Sequence, residues 1–263
     1  MVKVFKKVYL YLVLFFLYAP IAVLAFYSFN ASRTSKVWGG FSLKWYQSLF
    51  QNGEILSALF YTLLVAVLAS LISTVVGTVS AIGLHAMKEK QRNILLNVNY
   101  LPVINPDIVT GISLMLVFAF ASVKPGLLTM LIAHITFCIP YVILSVLPKL
   151  KQMDKHLVEA AMDLGATPRY TLRNIVLPEI MPGIMTGMML AFTLSLDDFV
   201  ISFFTTGNGV SNLSIYVYSA AKRGISPEIN ALSTLMILTV SILLFFINRR
   251  ADKSAEKEES PNI

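Results

Sequence analysis

The stretch Glu159-Ala160-Ala161-Met162-Asp163-Leu164-Gly165-Ala166-Thr167-Pro168, continued through Asn174 and closed by Ile175-Val176-Leu177-Pro178, is a polar loop in a chain that is otherwise largely apolar. It carries helix punctuation. Thr167 followed by Pro168 has the form of a helix start, with threonine as N-cap and proline in the first turn. Gly165 lets the chain bend just before it. The segment therefore reads as a helix over about 152–164, a sharp turn, a short helix over about 168–174 and a stop at Pro178. Glutamate and alanine are common in helices, so Glu159-Ala160-Ala161 alone carries little information. The full spacing carries much more: Glu-Ala-Ala, three residues, Gly165, nine residues, then Ile175, one residue, Leu177 and Pro178. A short rigid helix lying along a membrane surface can push and be pushed, so the loop reads as a docking surface.

The surroundings of the loop fix the class. Of 263 residues, 56% are hydrophobic and 13% charged, and the mean hydropathy is +0.72. Soluble domains carry about twice that charged fraction. Six apolar stretches reach the roughly twenty residues that a span needs. They cover about 8–29, 56–84, 94–121, 126–147, 183–206 and 229–248. The loop over 148–182 lies between the fourth and fifth, and a charged tail occupies 249–263. The expectation is an all-α polytopic membrane protein forming one transmembrane domain over 1–263. The first stretch is too long for a signal-peptide core and is expected to stay uncleaved.

The formal net charge of +7 is a topology signal, not a sign of a nucleic-acid partner. With the N-terminus inside, fifteen lysines and arginines fall on inner segments and six on outer ones. The positive-inside rule then puts both termini and the Glu159 loop in the cytoplasm. An outer loop over 30–55 holds Trp38, Trp45 and Tyr46, with apolar residues near helical spacing over 42–50. A second outer segment, 213–221, could fold back as a short re-entrant helix.

Absent motifs exclude other classes. The chain has no Gly-x-x-x-x-Gly-Lys-Ser/Thr phosphate loop. It has no His/Cys/Asp cluster at metal-ligand spacing and no nucleophile with a base at a recognisable spacing. No catalytic residue, cofactor or metal is expected. His134 reads as a packed or hydrogen-bonded interior residue, and the single Cys138 as packing without a disulfide.

Three acids stand inside the spans: Asp107, Asp197 and Asp198. Each costs about 2.5–3.5 kcal/mol on insertion scales. No lysine or arginine lies within a span to neutralise them, which points to a cationic cargo arriving from outside. Asp107 and Asp197 stand at similar depth, roughly 20 Å from the inner end. Ser195, Asp198, Ser202 and Thr205 would form one polar stripe on a continuous helix. Asn105-Pro106-Asp107 also reads as N-cap, first helical residue and first-turn acid, and Pro102 with Pro106 implies a broken third span. Trp45, Tyr46 and Tyr100 could supply cation–π faces.

The loop spacing resembles that of ABC importer permeases. The rest of the chain resembles the spermidine/putrescine branch, and within it the PotC-type inner-membrane subunit. The stretches that carry this are Ser28-Phe29-Asn30, Lys44-Trp45-Tyr46, Pro106-Asp107-Ile108-Val109, His134 to Cys138, Glu159 to Ala166, Phe192 to Asp198, and Ser226 to Ala231. The resemblance implies the type I importer permease fold in a bacterial inner membrane. It implies a second, PotB-type permease, two copies of a cytoplasmic ABC ATPase and an extracytoplasmic polyamine-binding protein as partners. Glu159, Ala160, Ala161, Gly165, Ala166, Thr167, Pro168, Ile175, Leu177 and Pro178 would seat in the ATPase. Asp107, Ser195, Asp197 and Asp198, with Trp45, Tyr46 and Tyr100, would line the substrate pathway. On the residues alone, another small cation, a metal chelate or a self-contained secondary transporter remain alternatives.

Overall fold

The computed structural model describes residues 2–33, 37–207, 209–223 and 227–239. The described residues are helical apart from loops and one isolated antiparallel bridge, Asn30 to Phe41. The helices are α1 (Val2–Tyr27), α2 (Lys44–Gln51), α3 (Gly53–Ala86), α4 (Glu89–Ile104), α5 (Asp107–Phe120) and α6 (Leu127–Gln152). After these come α7 (Lys155–Asp163), α8 (Pro168–Thr171), a π turn (Leu172–Val176), α9 (Leu177–Asp197), α10 (Val200–Thr205) and α11 (Leu213–Arg223). Residues 227–239 are helical as well. Helices stand at both outer segments, α2 over 44–51 and α11 over 213–223.

Among the described residues four helical runs are long and apolar enough to cross a membrane, or five if a bent pair counts as one. Of the sixth expected span, 229–248, residues 240–248 lie outside the described residues, as does the tail from Arg249. The chain, expected as a single domain, divides into two compact units: Met1–Leu56 with Val217–Ile263, and Ser57–Tyr216.

The second unit is built around α6. Its buried residues Ala133, Phe137, Cys138, Val142, Val146 and Leu150 form a continuous core with Ala81 and Leu84 of α3, Ile180 and Ala191 of α9, and Ile201 of α10. Backbones approach closely where side chains are absent. A Cβ on Gly183 would lie 2.9 Å from the Ser145 carbonyl oxygen, and one on Gly187 would lie 3.1 Å from Val142 Cα. On α3, a Cβ at Gly77 would meet Val142 Cβ at 2.7 Å. Glycines four residues apart on a helix face are a membrane packing device, because lipid tails give no hydrophobic drive and close contact supplies the attraction. Cys138 is buried and unpaired, as expected.

Three expected helix boundaries are corrected. The third span is broken, with a bend of 106° between α4 and α5. The break sits one residue later than Asn105-Pro106-Asp107 suggests: Asn105 ends α4 in an extended conformation, Pro106 is the N-cap and Asp107 opens α5. The shift lies at Pro106, whose ψ of 139° leaves it extended where the first helical position was expected. The expected stop at Pro178 does not occur, because the chain stays helical from Pro168 to Asp197. The π turn absorbs the proline: Leu177 N–H reaches back five residues to the Leu172 carbonyl, so the missing N–H of Pro178 falls in the first turn of α9. Finally, the fifth span is not one helix over 183–206. It ends at Asp197, passes through extended Asp198 and resumes at Val200.

In the first unit α1 exposes its apolar residues along its length, as a span facing lipid does. The loop after it is tied around Asn30. Asn30 Nδ2 donates to the Val37 carbonyl at 2.8 Å, and its Oδ1 accepts from Gly39 N–H at 2.7 Å and Ser32 N–H at 3.1 Å. The Ser48 hydroxyl donates to the Glu228 carboxylate.

Candidate functional site

The loop from Glu159 to Pro178 owes its shape to local hydrogen bonds. Asp154 N-caps α7, accepting from His156 N–H at 2.9 Å. At the far end Gly165 N–H bonds the Met162 carbonyl at 2.9 Å, and Ala166 N–H bonds the Ala161 carbonyl at 3.0 Å. This pair is a Schellman motif, which needs a left-handed residue after the last helical position. Gly165, at φ +86°, supplies it. Thr167 then caps α8, its Oγ1 accepting from Tyr170 N–H at 3.3 Å, with Pro168 in the first turn. The spacing from Ala161 to Pro168 is thus one helix stop followed directly by one helix start.

The outer side of the loop is solvent-facing and apolar in part. Leu164 is 89% exposed, and Met162 and Tyr170 are exposed as well. Ala161, Leu164, Ala166, Thr167, Tyr170 and Ile175 line a shallow groove of about 550 Å³. Glu159 stands exposed beside it, 3.4 Å from His156 Nδ1, and a surface pair of that kind adds little stability. Ile175 and Leu177 are half-buried, while Ala160 and Pro178 are exposed.

The second candidate region is the break between α9 and α10. The two aspartates there part company. Asp198 is withdrawn, its side chain 6% exposed. Its carboxylate caps α10, accepting from Ser202 N–H at 2.7 Å and Ile201 N–H at 3.2 Å. One carboxylate oxygen lies 3.5 Å from His134 Nε2. His134, buried on α6, also places Nδ1 2.6 Å from Ser195 Oγ and Nε2 2.9 Å from Ser202 Oγ. Asn212 completes the group. Its amide donates to the Asp198 carbonyl at 3.0 Å and to Ser202 Oγ at 2.7 Å, and its Oδ1 accepts from Ile215 N–H at 2.9 Å, starting α11.

This overturns one expectation. Asp198 is not an unpaired anion awaiting a partner, because two backbone amides and an imidazole face it. Nor do Ser195, Asp198, Ser202 and Thr205 form a stripe on one helix. Ser195 belongs to α9, Ser202 and Thr205 to α10, and they gather around His134 by folding. Asp197 is different. It is exposed and has no lysine or arginine within ion-pair distance among the described residues. Asp107, opening α5, is exposed too, and lies within electrostatic reach of Asp197. Tyr141 of α6, half-buried, is within reach of Asp107.

The structure therefore brings together Asp107 and Asp197, places Ser195 and Asp198 in a buried hub beside them, and leaves Tyr100 exposed on α4. Trp45 and Tyr46 belong to the other unit. Trp45 Nε1 donates to the Asn30 carbonyl at 2.7 Å, Tyr46 Oη pairs with Ser28 Oγ at 2.7 Å, and Lys44 Nζ sits 4.6 Å over the Trp45 ring. Sequence reading missed Tyr141 and Asn212. Tyr141 could have been found, because it follows His134 by two helical turns and shares its face. Asn212 offers no comparable signal.

Close helix packing through glycines, two interrupted apolar helical runs, exposed acids at the interruptions and an exposed rigid loop mark a membrane-embedded helical protein. Comparison with known proteins places it more closely. Residues 73–257 match the family described as binding-protein-dependent transport system inner membrane component. The chain belongs to that family. It is 41% identical over 248 residues to the putrescine transport system permease protein PotI of Escherichia coli strain K12, covering 90% of this chain and 88% of that protein. It is 36% identical to the spermidine/putrescine transport system permease protein PotC of Haemophilus influenzae, covering 93% of this chain and 96% of that one. Among solved structures, a bacterial ABC transporter involved in the import of the acidic polysaccharide alginate matches with a TM-score of 0.73. That match is 16% identical and covers 95% of both chains. The MetNI methionine ABC transporter, in inward-facing conformations, matches with a TM-score of 0.58 at 16% identity, over 80% of this chain and 100% of that one. At such identities the likeness is one of fold.

Proposed function

We propose that this chain is one of two permease subunits of an ATP-driven polyamine importer, forming half of the pathway by which putrescine or spermidine enters the cytoplasm. The observation that carries the reading is α9. It starts in the loop motif, at Leu177, and ends at Asp197. One helix about 30 Å long thus joins a docking surface to an exposed carboxylate. Its tight packing on α6 through Gly183 and Gly187 makes the two helices move as a unit.

In this reading six spans cross the membrane with both termini and the Glu159 loop in the cytoplasm, as the distribution of basic residues favours. A PotB-type permease completes the pathway. Two copies of an ABC ATPase grip the loops, with Leu164 and Tyr170 as apolar anchors beside the groove and Glu159 at its rim. Closure of the ATPase dimer on ATP displaces the loop, and α9 carries that displacement to Asp197. An extracytoplasmic binding protein delivers the cargo. Asp107 and Asp197 hold ammonium groups of a flexible polycation at separate points, with Tyr141 beside Asp107. Ser195 and Asp198 support the site from behind. Tyr100, exposed on α4, offers an aromatic face to the cargo. The relatives' cargo, as their names state it, agrees with an acid pair that has no internal cation.

The test is transport by the assembled complex. Co-expressed with its neighbouring subunits and reconstituted, the protein is expected to take up labelled putrescine or spermidine only with ATP and binding protein present. Uptake by this chain alone, driven by an ion gradient, would contradict the reading.

A further inference from the structure

We propose that the buried group formed by His134, Ser195, Asp198, Ser202 and Asn212 is a positioning device. It sets the break in the fifth span so that of the adjacent Asp197 and Asp198 only Asp197 is presented to the pathway. His134 and Asn212 are then positioning residues that never touch cargo. The inference deepens the proposed function and rests on its assignment of Asp197.

In an unbroken helix consecutive residues differ by 100°, and nothing would separate Asp197 from Asp198 beyond that rotation. The separation is made by the extended conformation of Asp198, at φ −60° and ψ 127°. That conformation exposes the last carbonyls of α9 and the first amides of α10, and inside a membrane each needs a partner. The partners are supplied from outside the helix. The Asp198 carboxylate takes the α10 amides, Asn212 takes the Asp198 carbonyl, and Ser214 Oγ donates to the Asp197 carbonyl at 3.3 Å. Asn212 is saturated, with both donors and its oxygen engaged. His134 closes the other side, bridging Ser195 before the break and Ser202 after it. His134 and Asn212 tie the two sides of the break together, and no side chain of the group bonds the Asp197 carboxylate. A hub this buried would be costly to keep half-satisfied, so losing one member loosens the rest.

Thiol labelling tests the placement. Cys138, fully buried, is first replaced by alanine to give a silent background. Asp197→Cys is then made in the full complex and treated with a cationic methanethiosulfonate, with the network intact and with Asn212→Ala or His134→Ala added. The thiol is expected to react at least about ten-fold faster in the intact network than with either alanine. A labelling ratio near one for both alanines would overturn the proposal. A second arm does not depend on the cysteine proteins assembling. Asn212→Ala is expected to raise the KM for putrescine uptake about ten-fold with maximal rate per complex retained. A fall in maximal rate at unchanged KM would mark the network as mere helix fastening and sink the positioning role. Failure of the underlying reading looks different: Asp197→Asn would leave uptake intact while the labelling ratio held.

Discussion

The loop around Gly165 and the break at Asp198 both end one helix and begin another, yet they are held in opposite ways. In the loop the capping partners lie within five residues: Ala166 to Ala161, Gly165 to Met162, Tyr170 to Thr167. At the break His134 bonds across 61 and 68 residues of sequence, and Asn212 across 14. The first is exposed and self-sufficient, suiting a surface that must keep its shape while another protein grips it. The second is buried and depends on three separate parts of the chain, suiting a site whose geometry must follow the packing of the bundle. A locally built turn can be moved as a rigid piece. A turn built from distant residues moves only when its neighbours do.

Substitutions should separate the two regions by size of effect. The largest is expected at the break. Asp198→Ala orphans the amides of Ile201 and Ser202, both buried, at about 1–3 kcal/mol each. The unfolding midpoint of the purified complex should fall well below that of Asp197→Ala, which should stay near the parent. Equal midpoints would erase the distinction between the two acids. Gly165→Val comes next. It forces a β-branched residue to φ +86°, a conformation that costs an L-residue about 1–2 kcal/mol. The strain is confined to the loop, so the amount of protein in the membrane should hold while co-purification of the ATPase drops. Loss of the protein from the membrane would mean that the loop is not self-contained. The smallest is Thr167→Ala, about 1 kcal/mol for a lost N-cap, read as faster hydrogen exchange at the Tyr170 amide with the rest of the chain unchanged.

The same contrast explains what the sequence could reveal. Gly165, Thr167 and Pro168 act on neighbours, so their roles could be read from order and spacing alone. The break at Pro106 was legible for the same reason, within one residue. Pro178 misled because a proline stops a helix only when the register cannot shift, and the π turn shifts it. Asp198 misled more seriously. Its partners are a histidine on another helix and an asparagine beyond the next loop, and no local pattern announces either. Counting lysines and arginines within spans singled out Asp107 and Asp197, which have no lysine or arginine in an ion pair with them among the described residues. It counted Asp198 with them because amides and imidazoles are invisible to such a count. The helix boundaries suffered likewise: hydropathy merges α4 with α5 and α9 with α10, since apolar composition continues across a break that polar groups create.

The central claim is that the exposed acids at the two interruptions, Asp107 and Asp197, hold a cationic cargo. Uptake of labelled putrescine and spermidine by the assembled complex carrying Asp107→Asn and Asp197→Asn, normalised to the amount of complex in the membrane, tests it most directly. The account predicts a fall of at least about 100-fold, roughly 2.7 kcal/mol of lost stabilisation of the transported state, with assembly intact. Uptake at the parental rate would contradict it.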